Sequence, residues 1–163
     1  MAVAANPVRT LTLTRILDAP REMVFRAWTD PVQVQKWWGP KDFTNPICEW
    51  NAKPGGKIRV VMRASDEIAK AMGFRDSPMG GEFHEVDPPK RLVFTTTAFE
   101  DDAGNAKLRN LNTVTFEEQN GKTKMTLHVE VQYAAPEMAA ALDGMEMGWS
   151  QSLDKLADLV ARA

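Results

Sequence analysis

Chemistry-bearing side chains are scarce in this sequence: it has one cysteine, two histidines and one tyrosine. A lone Cys48 excludes an internal disulfide and suits a reducing compartment. Neither Cys-x-x-Cys nor His-Glu-x-x-His occurs, and His84 and His128 fall on polar strand faces, so no metal site is expected. The Gly-x-Ser-x-Gly elbow that would present a serine nucleophile is missing. So are Gly-x-Gly-x-x-Gly and the phosphate-cradling Gly-x-x-x-x-Gly-Lys loop, and no cofactor is expected.

Long apolar runs are missing too. No stretch approaches the ~20 apolar residues of a membrane span, so no membrane insertion is expected. Met1 to Thr10 lacks the apolar core of a secretory signal, so a cytoplasmic location is the expectation. Nor is there an excess of positive charge. The formal net charge is −2 and Lys and Arg are scattered, which argues against nucleic acid as a partner.

What is present is an ordinary globular composition, 44% apolar and 26% charged over 163 residues. Such a chain buries roughly 68–70% of its unfolded surface and needs no disulfide or metal to fold. We expect a flexible tail over residues 1–8 and a single domain over 9–163.

Arg9 to Leu17 alternates with a period of two, Leu11, Leu13 and Arg15 against the threonines, which indicates a strand. Pro20 suits a first helical turn, with Glu22 near the positive end of the dipole. Val24, Ala27 and Trp28 then recur at helical spacing. Asp30-Pro31 restarts the helix, with Gln33 three residues on, and Gly39-Pro40 ends it. Three of the five tryptophans lie in this helix–break–helix stretch.

Strand patterns fill Phe43 to Tyr133. Asp87-Pro88-Pro89-Lys90 and Gln119-Asn120-Gly121 mark turns, the second a hairpin signal. In the last strand Met125, Leu127, Val129 and Val131 share one face, and Lys124, Thr126, His128 and Glu130 the other. From Pro136 to about Arg162 the pattern predicts one long helix, with Met138, Leu142, Met145, Trp149, Leu153, Leu156 and Val160 as its apolar stripe. Ala140, Gly144, Gly148 and Ser152 make a second, small line. Each Gly costs about 1 kcal/mol against Ala in a helix interior. The line therefore implies close approach, by the sheet or a loop, by a ligand or by a second copy in a homodimer.

The element order is α+β: a strand, two short helices, a curved antiparallel sheet completing six to seven strands, then a long C-terminal helix. Arg15-Ile-Leu-Asp-Ala-Pro-Arg-Glu-Met-Val-Phe-Arg-Ala-Trp-Thr-Asp-Pro31, Trp37-Trp38-Gly39-Pro40 and Pro54-Gly55-Gly56 carry a family resemblance. So do Gly81-Glu-Phe-His-Glu-Val-Asp-Pro-Pro-Lys-Arg-Leu-Val-Phe94 and Gly148-Trp149 with Leu153 and Leu156. Over residues 9–160 the chain is similar to the Hsp90-ATPase-activator-homologue group of the START-like (SRPBCC, Bet v 1-like) superfamily. The resemblance implies a helix-grip fold, with a cavity between the sheet and the C-terminal helix. In the wider superfamily such cavities hold lipids, hormones or polyketides, and some members are enzymes. Many bacterial members of this group have no assigned activity. The group takes its name from eukaryotic co-chaperones.

One segment departs from the pattern. Ala64 to Pro78 is longer than a turn, and Ser65 is placed to cap a helical turn carrying Ile68 and Met72. It is either a mobile lid over the cavity or a packed surface excursion.

We name no catalytic residue. Cys48 reads as an inert thiol, Tyr133 as structural, and Arg59 and Arg63 as outward. Glu49 and Glu85 alternate with apolar neighbours and are open to either face. The candidate cavity lining is Trp37, Phe43, Ile58, Val60, Met62, Phe83, Phe94, Met125, Leu127, Met145 and Trp149. The opposing reading is that these side chains fill the interior. Nine methionines favour adaptable contents. Three functions stay open: a binding protein for a small hydrophobic ligand, a partner-binding module for an Hsp90-type chaperone, and a cyclase- or hydrolase-like enzyme.

Overall fold

The structure is a computed structural model and describes residues 9–100, 103 and 105–162. The tail expected over residues 1–8 lies outside them.

Seven antiparallel strands form one sheet in the order β1-β7-β6-β5-β4-β3-β2. They are β1 (Arg9–Leu17), β2 (Phe43–Trp50), β3 (Lys57–Ala64), β4 (Asp76–Asp87), β5 (Arg91–Ala98), β6 (Leu108–Gln119) and β7 (Lys122–Ala134). Only β1 is out of chain order, and it pairs with β7 from Arg9↔Val131 to Leu17↔Thr123. The β6–β7 hairpin turns through Asn120 and Gly121 at φ 54° and 81°, the left-handed pair that a two-residue hairpin with the right twist demands.

Bulges interrupt the pairing at Thr44/Ile47 in β2, at Phe83/Glu85 in β4 and at Gln132 in β7, opposite Arg109 and Asn110. Each bends its strand and increases the local twist. The bulge at His84 also resets the alternation. Phe83 stays inside, and Glu85 turns outward to meet Arg91 at 3.2 Å. Glu49 likewise faces out, paired with Arg59 at 3.5 Å. Both carboxylates left open by the sequence are therefore on the polar face.

Helix α1 (Arg21–Thr29) buries Val24, Phe25, Ala27 and Trp28. Helix α2 (Pro31–Trp37) is capped by Asp30, whose carboxylate accepts from the Val32 amide at 3.0 Å. Gln33 reaches that same carboxylate at 3.2 Å instead of the backbone amide of a full capping box. A short third helix, α3 (Asp66–Met72), fills the 64–78 excursion, and Ser65 caps it by accepting from Ile68 N.

The C-terminal segment differs from the single helix expected. A 3-10 turn (Pro136–Met138) leads into α4 (Ala139–Asp143), and Gly144 separates this from α5 (Met145–Ala161). Gly144 sits at φ −89° and ψ −2°, with its N–H bonded to the carbonyls of both Ala140 and Leu142. Without a Cβ, this residue gives up regular helix geometry most easily. The apolar stripe survives the break: Met138, Leu142, Leu153, Leu156 and Val160 are all buried.

The sheet curls around α5 with α1 and α2 on the same side, a helix-grip fold. Leu153 and Leu156 face Met125, Leu127 and Val129 across one continuous core, each fully shielded from water. Burial at this level is worth about 1.5–3 kcal/mol per large aliphatic side chain.

Candidate functional site

The space between sheet and helix divides into a packed part and an open part. Tryptophan fills the first. Trp28 meets Trp37 edge-on at 4.6 Å, and Trp38 meets Trp50 at 5.0 Å. Trp50 in turn packs against Phe83 at 5.4 Å and Phe94 at 5.5 Å. Three indole nitrogens are satisfied inside this cluster: Trp37 donates to Ala27 O at 2.9 Å, Trp50 to Trp28 O at 2.8 Å, and Trp28 to the Met125 sulfur at 3.2 Å. Buried indoles need such partners.

The open part is a cleft of about 440 Å³ at the other end. One wall comes from the last helices, through Met138, Ala141, Gly144, Met145, Gly148 and Trp149. The second comes from Trp38, Gly39, Pro40 and Phe43, which follow α2. The inner sheet face supplies Met62, Ser77, Met79, Thr96, Ala98 and Asn110 as a floor. The excursion carrying α3 contributes Met72 and Phe74 at the rim. Gly39 holds φ +92° where the chain leaves α2, and a Cβ there would lie 3.2 Å from the Met62 sulfur.

The candidate lining residues separate into two groups. Phe43, Met62, Met145 and Trp149 line this cleft. Trp37, Val60, Phe83, Phe94, Met125 and Leu127 are fully buried in the core beside it. Ile58 is buried and borders a groove of about 510 Å³ on the opposite, polar face of the sheet, with Lys57, Arg59, Glu82 and Arg109. Sequence alternation identifies the inner face, but it does not tell which inner positions the tryptophans cover. Asn110, Thr96 and Ser77 were missed because polar residues on an inner face contradict the two-sided pattern; that contradiction is itself the signal.

The excursion is loosely held. Helix α3 has no buried residue, Met72 and Phe74 are 38% and 43% exposed, and Phe74 touches Phe99 edge-on at 5.9 Å. Its base is firmer: Arg63 forms a two-toothed pair with Asp76 at 2.9 and 3.2 Å, and that contact holds the Asp76 carboxyl below the usual carboxylate range.

No charged residue lines the cleft among the described residues. Cys48 is half-buried on the inner face, and burial pushes its thiol up to about 11, which removes it as a nucleophile at neutral pH. His84 and His128 lie on the polar face, bonded to Thr95 and Thr12. Among the described residues no group of three or more His, Cys, Asp or Glu is placed to hold a metal ion. Within the same residues, no helix is long and apolar enough to cross a membrane.

A family model described as Activator of Hsp90 ATPase homolog 1-like protein matches residues 18–161. The solved structures it resembles include protein CV1439 from Chromobacterium violaceum, 28% identical, covering 93% of this chain and 96% of that one with a TM-score of 0.76. Protein Ms6760 from Mycobacterium smegmatis is 25% identical over 98% of this chain and 96% of its own, at a TM-score of 0.73. The AHSA1 protein from Silicibacter pomeroyi shares the fold at 23% identity, covering 94% and 98% with a TM-score of 0.74. A comparison with curated proteins returns no match.

Proposed function

From the premise that this chain belongs to the Activator of Hsp90 ATPase homolog 1-like family, we propose that it is a non-catalytic binding protein for a small apolar molecule held in the cleft. The observation that carries this reading is the geometry of that cleft. Its volume of about 440 Å³ falls within the ~300–1,000 Å³ of small-molecule pockets, and its walls are Trp38, Phe43, Met62, Met145 and Trp149. The two methionine thioethers in the walls re-shape at little cost around different contents. The six core residues Trp37, Val60, Phe83, Phe94, Met125 and Leu127, with Ile58, act behind this wall as rigid support. Residues 9–163 work as one domain, in the cytoplasm.

Trp38 and Trp149 make the test direct. Titration with a panel of lipids and aromatic compounds, followed by intrinsic fluorescence, is expected to give saturable changes that disappear in Met145→Trp, which fills the cleft. Native mass spectrometry of gently purified protein is expected to show carried ligand. A protein that is empty and unresponsive to the whole panel would overturn the proposal.

The family's own description supports a second reading, a chaperone-linked module. Of the large exposed apolar side chains, Ile16, Val32, Tyr133 and Met147 belong to four different elements, β1, α2, β7 and α5, and Met72 and Phe74 lie together at the cleft rim. A protein-binding surface needs them contiguous. Stimulation of the ATPase rate of the cognate Hsp90-type chaperone, lost in Met147→Asp, would favour this reading over the first.

A further inference from the structure

The floor of the cleft is polar although its walls are not. Ser77, Thr96 and Asn110 line it from β4, β5 and β6, exposed by only 8%, 7% and 9%. Thr96 and Asn110 face each other directly across the β5–β6 ladder. The Asn110 Oδ1 is buried and accepts no hydrogen bond. Behind it, the fully buried Asn112 donates through Nδ2 to Phe94 O at 3.3 Å and to Thr96 Oγ1 at 3.1 Å, while its own Oδ1 has no partner. Buried polar atoms are almost always paired, because leaving one unmade costs its full desolvation penalty. Two orphaned amide oxygens on neighbouring inward positions of one strand need a reason, and a sheet strand packed against a helix has no need of asparagine there.

We propose that this floor selects the ligand: a neutral molecule with an apolar body and a hydroxyl group, the hydroxyl seated on Asn110 and Thr96. This deepens the ligand-binding reading and rests on it. Because Asn112 donates to Thr96 Oγ1, the Thr96 proton is free to be given to another acceptor. A hydroxyl both donates and accepts, so once the Asn110 amide turns its buried Oδ1 toward the cleft, one hydroxyl answers that oxygen and Thr96 together. An ionised carboxylate only accepts: it can take the Thr96 proton but has none to give, so Asn110 Oδ1 stays unpaired. With no charged side chain in the cleft, the carboxylate would also be buried without a counter-ion. Fatty acids and other apolar anions are therefore disfavoured, and alcohols and phenols preferred. The apolar body extends from the floor toward Met145, Trp149 and Phe74.

Three probes of similar size separate the possibilities at pH 7: 1-naphthol, 1-methoxynaphthalene and 1-naphthoate, measured by calorimetric titration. The expected order is naphthol tightest, the methyl ether about tenfold weaker through one lost hydrogen bond, and the anion weaker still. In Asn110→Leu the preference for naphthol over the ether is expected to vanish while the ether itself binds at least as well. The wild-type comparison stands whether or not that variant folds. If naphthol and ether bind the wild type equally, or naphthoate binds as well as naphthol, the floor assignment falls and the cleft remains a ligand site. If none of the three binds at millimolar concentration, the ligand-binding reading falls and takes this one with it.

Discussion

The Ser152 hydroxyl of α5 donates to the Trp37 carbonyl of α2 across 3.0 Å, in the buried interior. Trp37 ends its helix, so its carbonyl is one of the acceptors that the helix cannot satisfy itself. The neighbouring carbonyls are met in the same way: Asn45 donates to Gln35 O and Trp38 O at 3.0 and 2.8 Å, and Lys155 to Pro40 O at 3.2 Å. The Trp-Trp-Gly-Pro turn is thus stitched to β2 on one side and α5 on the other. This fixes one wall of the cleft.

Ser152→Ala leaves the Trp37 carbonyl buried and unpaired. We expect a loss of about 1–3 kcal/mol in unfolding free energy, read as a lower urea midpoint at unchanged slope. Ser152→Thr, which keeps the hydroxyl, should lose less if the added methyl fits against the cleft.

Trp28 has no exposed surface and touches Trp37, Trp149, Phe94 and Phe116. Trp28→Ala should cost about 3–5 kcal/mol, the usual range for deleting a large buried aromatic. Trp28→Phe should cost less, since it retains most of the apolar contact and gives up the indole bond to Met125. Chemical denaturation of both variants checks the order. Equal losses would mean that the hydrogen bond, not the packing, dominates.

Much of the sheet was legible because alternation is a local property. Ile58 and Val60 in β3, and Met125 to Val131 in β7, are buried as their period of two requires. The hairpin at Asn120-Gly121 and the cap at Asp30 were equally local. Three features were not. The bulge at His84 turns Glu85 outward, and bulges carry no strong sequence mark. The break at Gly144 leaves no mark because helical periodicity runs unbroken across it, and a glycine there fits close approach as well as a helix end. The cleft lies at one end of the gripped space because the tryptophans of α1, α2 and β2 occupy the rest, and periodicity assigns faces without assigning volumes.

Phe74, on the 64–78 excursion, is the residue best placed to test entry to the cleft. It lines the rim, is 43% exposed, and its ring contact is with Phe99. Phe74→Ala should therefore change global stability by only a few tenths of a kcal/mol. The release rate of 1-naphthol in stopped-flow displacement should rise several-fold. A large stability loss with an unchanged release rate would make the excursion a packed surface element and not a lid.

The Cys48 thiol, raised to about 11 by burial, should resist alkylation. At pH 8 a thiol near 8.5 is roughly a quarter thiolate, and one near 11 only about a thousandth. Iodoacetamide should label native protein roughly 200-fold more slowly than unfolded protein. The sign for stability follows from the same shift. The unfolded thiol ionises first, so this contribution is complete below about 8.5 and is lost as pH rises through about 11. The difference in unfolding free energy between wild type and Cys48→Ala should narrow over that window. A constant difference would mean that the thiol is not shielded.

Gly148 is the position where packing and ligand space can be told apart. It lies inside α5, where glycine costs about 1 kcal/mol relative to alanine. A Cβ built on it would meet Pro40 Cγ at 3.6 Å, an ordinary contact, so the turn after α2 does not demand glycine. Gly148 also lines the cleft. Gly148→Ala should consequently raise stability by about 0.5–1 kcal/mol with binding nearly intact. Gly148→Leu projects its larger side chain into the cleft, so it should fold and yet lose naphthol binding. Thermal unfolding and calorimetric titration of the pair separate the two effects. If Gly148→Ala is destabilising, the glycine serves the Pro40 contact, and the small residues along this helix are there for packing alone.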